Sequence, residues 1–149
     1  MKHATTEDFE KVKEIFYQYR DIFPHIRTDF IKREIAANRC IFENGVIITY
    51  KIYKRPQKIG TVLALKDHCL LQQIVKDKND EKANAAKTLQ CFFDYINTLV
   101  WLSVRRDNIV AKSFYTKMGM SLVGEHNWSK GSLPGDVYLY KNEGSLVWL

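Results

Sequence analysis

Apolar residues recur with a helical period at the start of the chain, where Phe9, Val12, Phe16 and Tyr19 fall on one side of a helix. Thr5 or Thr6 is placed to cap it, and Glu7 and Asp8 put negative charge in the first turn, where the helix dipole favours it. Residues 21–25, with Pro24, break the pattern. A second short helix is expected after Thr28, carrying Phe30, Ile31 and Ile35 and fading near Asn38. The period then changes. Cys40-Ile41-Phe42-Glu43 and residues 46–53 flank Asn44-Gly45, a strong hairpin signal, and Pro56 ends the second strand. Residues 59–65 and 69–75 read as two more strands, separated by Lys66-Asp67-His68. Residues 83–99 read as a helix with Ala86, Leu89, Phe93 and Ile96 on one face. A strand at 99–104, a helix at 108–118 and a strand at 121–126 follow. A polar loop with Gly131, Pro134 and Gly135 leads to a last strand at 137–141. This order predicts a mixed α/β (α+β) sheet with helices on its faces, in a single domain spanning 1–149.

The helix at 108–118 is the most informative element. At ~100° per residue, Val110, Ala111, Phe114 and Met118 are expected to form its core stripe. Asn108 and Tyr115 are about two turns apart and leave it together at the stripe's edge. A phenol there is half in the core and half available to a ligand, although a Tyr snorkelling from a core helix would look the same.

The 149 residues suffice for one domain with a sizeable core, and no run is apolar enough for a membrane helix. The N-terminus lacks the apolar stretch of a signal peptide. Cys40, Cys69 and Cys91 are three unpaired cysteines in apolar surroundings, read as reduced core thiols of a cytoplasmic protein. The net charge of +6 favours anionic ligands through the general field, or reflects a mixed solvated surface.

Much chemistry is absent from the sequence. There is no phosphate-binding G-x-x-x-x-G-K-[ST] loop and no G-x-S-x-G nucleophile elbow. His3, His25, His68 and His126 form no metal-ligand spacing, so no metal is expected. Any chemistry would use a carried cofactor or direct transfer.

Asn108, Ala111, Phe114-Tyr115, Lys117 and Gly119-Met120, following a strand, resemble the N-x-x-A-x-x-[FL]-Y-x-K-x-G-F segment of the GNAT superfamily of N-acetyltransferases, with Met120 where Phe is usual. The resemblance extends topologically over nearly the whole chain. It implies a centrally splayed mixed sheet of about six or seven strands, with acetyl-CoA between the strand at 69–75 and the one near Trp101. It further implies that backbone N–H groups near Ile74 and Val75 polarise the thioester carbonyl as an oxyanion hole does. The pyrophosphate would rest on the N-terminus of the helix after Ala83, among Lys82, Ala83, Asn84, Ala85, Ala86 and Lys87. Asn108 would contact the pantetheine arm beside Ala111 and Phe114, and Tyr115 would protonate the departing thiolate. The acceptor would be a primary amine, with Glu43, Asp67, His68 and His126 as candidates for the base that deprotonates it.

One segment departs from the family. Its pyrophosphate loop reads roughly [RQ]-x-x-G-x-[GA], whereas here Ala83 and Ala85 replace the glycines and Asp80 or Glu81 replaces the Arg or Gln. Alanine tolerates close approach only where its φ is negative. Trp128 and Lys130 could stack on and attract an aromatic anionic acceptor, or Trp128 could simply pack the core edge. The apolar Leu146-Val147-Trp148-Leu149 is expected to pair as an extra strand or to meet a second copy in a homodimer. The expected function is therefore acetyl transfer from acetyl-CoA to an amine. The alternatives are the same fold acting on a nucleic acid or nucleotide-linked acceptor, or a CoA-binding module without catalysis.

Overall fold

The chain forms α1 (Phe9–Tyr17), α2 (Thr28–Ala36), β1 (Cys40–Glu43), β2 (Val46–Ile52), β3 (Gln57–Ile59), β4 (Val62–Ala64), β5 (Cys69–Lys76), α3 (Ala85–Ile96), β6 (Val100–Arg105), α4 (Ile109–Lys117), β7 (Ser121–Glu125) and β8 (Gly135–Tyr140). The structure is a computed structural model and describes residues 1–142; the tail at 146–149, for which an extra strand or dimer contact was expected, lies outside them. Six strands make one mixed sheet in the order β1-β2-β5-β6-β8-β7, and β3 and β4 pair separately. Among the described residues no helix is long and apolar enough to cross a membrane. Contacts group the chain into two compact units, Met1–Tyr50 with Gln72–Phe92 and Lys51–Leu71 with Phe93–Leu149, so β5 contributes to both.

In the first unit the expected cap forms. The Thr5 N–H donates to Asp8 Oδ2 at 2.8 Å and opens a short 3-10 turn ahead of α1. Val12, Ile15 and Phe16 of α1 and Ile31 and Ile35 of α2 pack with Ala4, Cys40, Ile47 and Val75. The β1–β2 turn has both central residues left-handed, Asn44 at φ 51° and Gly45 at φ 74°, as a type I′ hairpin requires. The first five residues of β2 are buried, which needs cover on both faces. Ile47 supplies one face, while Tyr50, of opposite parity, meets the ring of Phe92 on α3 at 5.2 Å.

Two readings of α3 need correction. Its inward stripe runs through Thr88, Leu89, Phe92 and Phe93. At ~100° per residue Ala86 then lies about a quarter-turn off that stripe and Cys91 farther round, and both are exposed. Cys91 is therefore not a core thiol; Cys40 and Cys69 are.

In the second unit β5 begins parallel to β6, pairing Cys69 with Val100 and Leu70 with Trp101. β6 and β8 pair antiparallel from Val100↔Tyr140 to Arg105↔Gly135. β7 joins β8 with an irregularity between Leu122 and Gly124. The run at 59–65 is not a single strand. Gly60, at φ +58°, turns it into the β3–β4 hairpin, whose tip sits against the end of β7. There the Thr61 N–H donates to the Glu125 carbonyl at 2.9 Å. A Cβ on Gly60 would lie 1.8 Å from that carbonyl oxygen, so only glycine fits.

The stripe of α4 is also rolled relative to expectation. Val110 is 84% exposed. Ala111, Phe114, Tyr115 and Met118, an i, i+3, i+4, i+7 set, are half-buried, and so is Lys112 beside them. A polar anchor explains the roll: the Lys112 ammonium lies 2.8 Å from the buried Asp136 carboxylate of β8, so Lys112 turns inward and Val110 outward.

Candidate functional site

The first constellation lies within the first unit, where β5 runs out and α3 begins. The buried Asp77 holds this loop. It accepts from Gln18 Nε2 at 2.9 Å and from the Asn79 N–H at 3.0 Å, and Lys11 Nζ lies 3.3 Å away. The Gln18 hydrogen bond, then that of Asn79, holds the Asp77 carboxyl below the usual carboxylate range. The Asp77 N–H donates in turn to the Gly45 carbonyl at 2.8 Å, tying the loop to the β1–β2 hairpin. Asp80 is occupied within the loop, accepting the Lys82 N–H at 2.9 Å. A Cβ at Gly45 would come within 2.5 Å of Asp80, so the hairpin glycine also makes room for this carboxylate.

Asn84 caps α3. Its Oδ1 accepts the Lys87 N–H at 3.0 Å and its carbonyl accepts the Thr88 N–H at 3.1 Å. The N–H groups of Ala85 and Ala86 remain as the open donors of the first turn. Neither Ala83 nor Ala85 has a positive φ, so alanine sits without strain where the GNAT loop has glycine. Asn44, Asp80, Lys82, Asn84, Lys87 and Thr88 line an open cavity of about 410 Å³. Lys82 and Lys87 border it with one carboxylate, Asp80, beside the first turn of α3 and the positive end of its dipole, a setting that suits an anion such as a pyrophosphate. Ile74 is half-buried, and the Val75 side chain belongs to the core, which leaves that residue its backbone for any ligand.

The second constellation lies within the second unit. Asn108 is the N-cap of α4, and its Oδ1 accepts the Ala111 N–H at 3.1 Å, so only its amide donors remain for a ligand. The start of α4 is pinned to β8 by Asp136, whose carboxylate meets Lys112 and also Arg106 Nε at 3.0 Å. Lys112 foremost, with Arg106, holds the Asp136 carboxyl below the ordinary range. Sequence reasoning missed this lock. Its signal was an acid set directly before the apolar Val137-Tyr138-Leu139, with bases on both sides of Asn108.

Tyr115 is held edge-on by Phe114 at 5.6 Å and tilted against Tyr138 at 6.2 Å between ring centres. Its hydroxyl has no hydrogen-bond partner among the described residues, and burial pushes the phenol up to about 12. The phenol therefore keeps its proton at neutral pH. The buried thiols offer no competing chemistry, since burial lifts Cys40 to about 12 and Cys69 still higher.

The four base candidates separate on geometry. His68 Nδ1 accepts from the Leu65 N–H and from Trp101 Nε1, each at 3.0 Å. A neutral ring in that setting carries its proton on Nε2, so neither nitrogen can take another without breaking a bond, and burial lowers the pKa. Asp67 is an exposed residue at φ 72° in the turn before it. Glu43 ends β1 in the first unit. His126 is half-buried and pairs through Nδ1 with Ser103 Oγ at 3.3 Å, while its Nε2 has no partner among the described residues.

Trp128 is half-buried. A Cβ at Gly135 would lie 2.3 Å from its ring, so the indole rests directly on the β8 backbone, and it lies 5.1 Å from the His126 ring. The exposed Lys130 sits at φ 56° between Ser129 and Gly131, which are also left-handed.

No protein-family model matches the sequence, and no curated protein matches it. Solved structures do match. A GNAT-family acetyltransferase from Bacillus cereus ATCC 10987 superposes with a TM-score of 0.70 at 16% identity, over 94% of this chain and 94% of its own. Arabidopsis thaliana NAA60 in complex with acetyl-CoA superposes at 0.65 and 15%, over 95% and 98%. The ribosomal-protein-S18-alanine N-acetyltransferase of Escherichia coli does so at 0.65 and 15%, over 93% and 90%. The likeness is one of fold.

Proposed function

With the GNAT fold as premise, we propose that this chain is an N-acetyltransferase that moves an acetyl group from acetyl-CoA directly to a primary amine. The observation that carries the reading is the Tyr115 phenol, protonated and unpartnered on the helix that resembles the GNAT segment. In this reading the ammonium groups of Lys82 and Lys87 and the open N–H donors of α3 hold the donor's phosphates. The N–H groups near Ile74 and Val75 and the Asn108 amide, beside Ala111 and Phe114, orient its pantetheine arm. Acetyl-CoA supplies an activated acyl group, and the protein's own contribution is to place it and move protons. Tyr115 gives its proton to the sulfur as the C–S bond breaks. Burial keeps Cys40 and Cys69 from acting as acyl carriers, which favours direct attack.

The fit of the altered loop to an anion supports donor binding. Asp77 is hydrogen-bonded to Gln18 and Asn79 and Asp80 to Lys82, and the two alanines are unstrained. Calorimetric titration with acetyl-CoA tests the proposal. Binding in the micromolar range is expected, and no heat at millimolar ligand would end the reading. Binding without transfer to any amine would point instead to a CoA-binding module.

A further inference from the structure

The antiparallel register of the second unit brings together two side chains that the sequence keeps 23 residues apart, Ser103 on β6 and His126 just beyond β7. Ser103 pairs with Val137 of β8, and the His126 N–H donates to the Gly135 carbonyl at 3.1 Å. Val137 and Gly135 differ by two positions, so Ser103 and His126 leave the same face of the sheet. Tyr138, of opposite parity to both, leaves the opposite face and meets Tyr115 there. Leu102 is the register partner of Tyr138. The phenol and the imidazole therefore flank the same two residues of β6, Leu102 and Ser103, from its two sides.

The imidazole is held firmly. Its backbone is bonded to β8 on one side and packed on the other by Gly60, where an added Cβ would lie 2.7 Å from the His126 Cα. Trp128 lies against its ring and is itself seated on Gly135. Ser103 Oγ lies 3.3 Å from Nδ1, and Nε2 has no partner among the described residues. Orientation by one ring nitrogen leaves the other for chemistry, and imidazole is the side chain that exchanges protons near neutrality. The remaining candidates lack this arrangement: His68 spends its lone pair on two N–H donors, and the Asp67 and Glu43 carboxylates have no orienting hydrogen bond among the described residues.

We propose that His126 is the base for the acceptor amine, with Ser103 Oγ accepting the proton of His126 Nδ1 and so leaving the Nε2 lone pair free. This rests on the acetyltransferase reading above. The ammonium form of the acceptor gives one proton to Nε2, and the neutral amine attacks the thioester carbonyl carbon. The C–N bond forms, the C–S bond breaks, and the sulfur takes the Tyr115 proton. The second proton of the attacking nitrogen then returns to the Tyr115 oxygen, and the imidazolium releases its proton to solvent. The net products are the amide, the free thiol and one proton. Ser103 is a positioning residue, since it acts through the ring.

Two measurements test this. The first needs no acceptor: long-range proton–nitrogen NMR of the neutral protein is expected to show His126 as the Nδ1–H tautomer in the wild type, with that preference lost in Ser103→Ala. An Nε2–H tautomer in the wild type would overturn the proposal whatever the protein catalyses. The second compares two acceptors, ethylamine, which is protonated at pH 7, and trifluoroethylamine, which is already neutral. His126→Gln is expected to cut transfer to ethylamine about a hundredfold while leaving transfer to trifluoroethylamine within about threefold of wild type. Equal losses with both amines would make the residue structural. A wild type that binds acetyl-CoA yet acetylates neither amine would overturn the transferase reading and the base with it, an outcome distinct from failure of His126 alone.

Discussion

The indole N–H of Trp101 donates to His68 Nδ1 at 3.0 Å, and the Leu65 N–H donates to the same nitrogen. His68 therefore acts as a clamp between the loop before β5 and strand β6. Burial lowers its pKa below the ordinary histidine value of 6.5. A depressed pKa in the folded state means that the clamp's contribution is complete above about pH 6.5 and declines as pH falls through the folded value. Urea midpoints for the wild type are expected to fall between pH 8 and pH 5 by more than those of His68→Gln. At pH 8 the variant should be less stable by about 1 kcal/mol, the usual worth of a lost hydrogen bond. Parallel pH profiles for the two proteins would contradict this account.

Asp136 ties α4 to the sheet through Lys112 and Arg106. Removing its charge leaves the partly buried Lys112 ammonium without its counter-ion. Asp136→Asn is expected to cost about 2–3 kcal/mol by chemical denaturation, toward the low end for a broken buried pair because both cations keep some solvent contact. The carboxyl is held below its ordinary value of 3.8, so this contribution is present above about pH 4 and is lost as pH falls through the folded value. Asp136→Asn should therefore flatten the acid limb of the stability curve.

Gly135 lies under Trp128, and a methyl group there would also meet the His126 carbonyl oxygen at 2.3 Å. The obstruction on that side is backbone, so it cannot swing away. Gly135→Ala is expected to destabilise the protein by about 2–3 kcal/mol and to shift Trp128 fluorescence as the indole is lifted. An unchanged emission spectrum and unchanged melting temperature would show that the indole does not sit on this strand.

Lys82 and Lys87 line the cavity at the start of α3. Replacing both with alanine is expected to weaken acetyl-CoA binding by about three- to tenfold at low salt, with the difference shrinking as ionic strength rises. Calorimetry at two salt concentrations checks this. An unchanged affinity would move the phosphates elsewhere.

The sequence made the architecture readable because its signals were local. Asn44-Gly45 specified a I′ hairpin, Pro24 separated two amphipathic helices, and Gly119 stopped α4. The errors arose where a distant partner decided. Val110 is apolar and in phase with Phe114, yet Asp136 draws Lys112 inward and rolls the helix away from it. The run at 59–65 alternates like a strand, but the end of β7 receives Gly60 and folds the run into a hairpin. The Tyr115 position was legible from the segment it shares with the GNAT pattern. The choice among His68, His126, Asp67 and Glu43 was not, because it turns on which ring nitrogen already holds a bond, and that depends on Trp101 and Ser103 across the sheet. Trp128 read more readily as packing than as a stacking platform, and its seat on Gly135 depends on a residue across the loop.

The most direct test of the central claim is single-turnover transfer by Tyr115→Phe, measured alongside acetyl-CoA affinity. The substitution removes one oxygen and keeps the ring against Phe114 and Tyr138. Acetyl-CoA affinity should stay within about threefold of wild type while the transfer step slows about a hundredfold, the range expected for loss of a general acid. Transfer at the wild-type rate with the phenylalanine in place would contradict the claim that this phenol delivers the proton to the leaving thiolate.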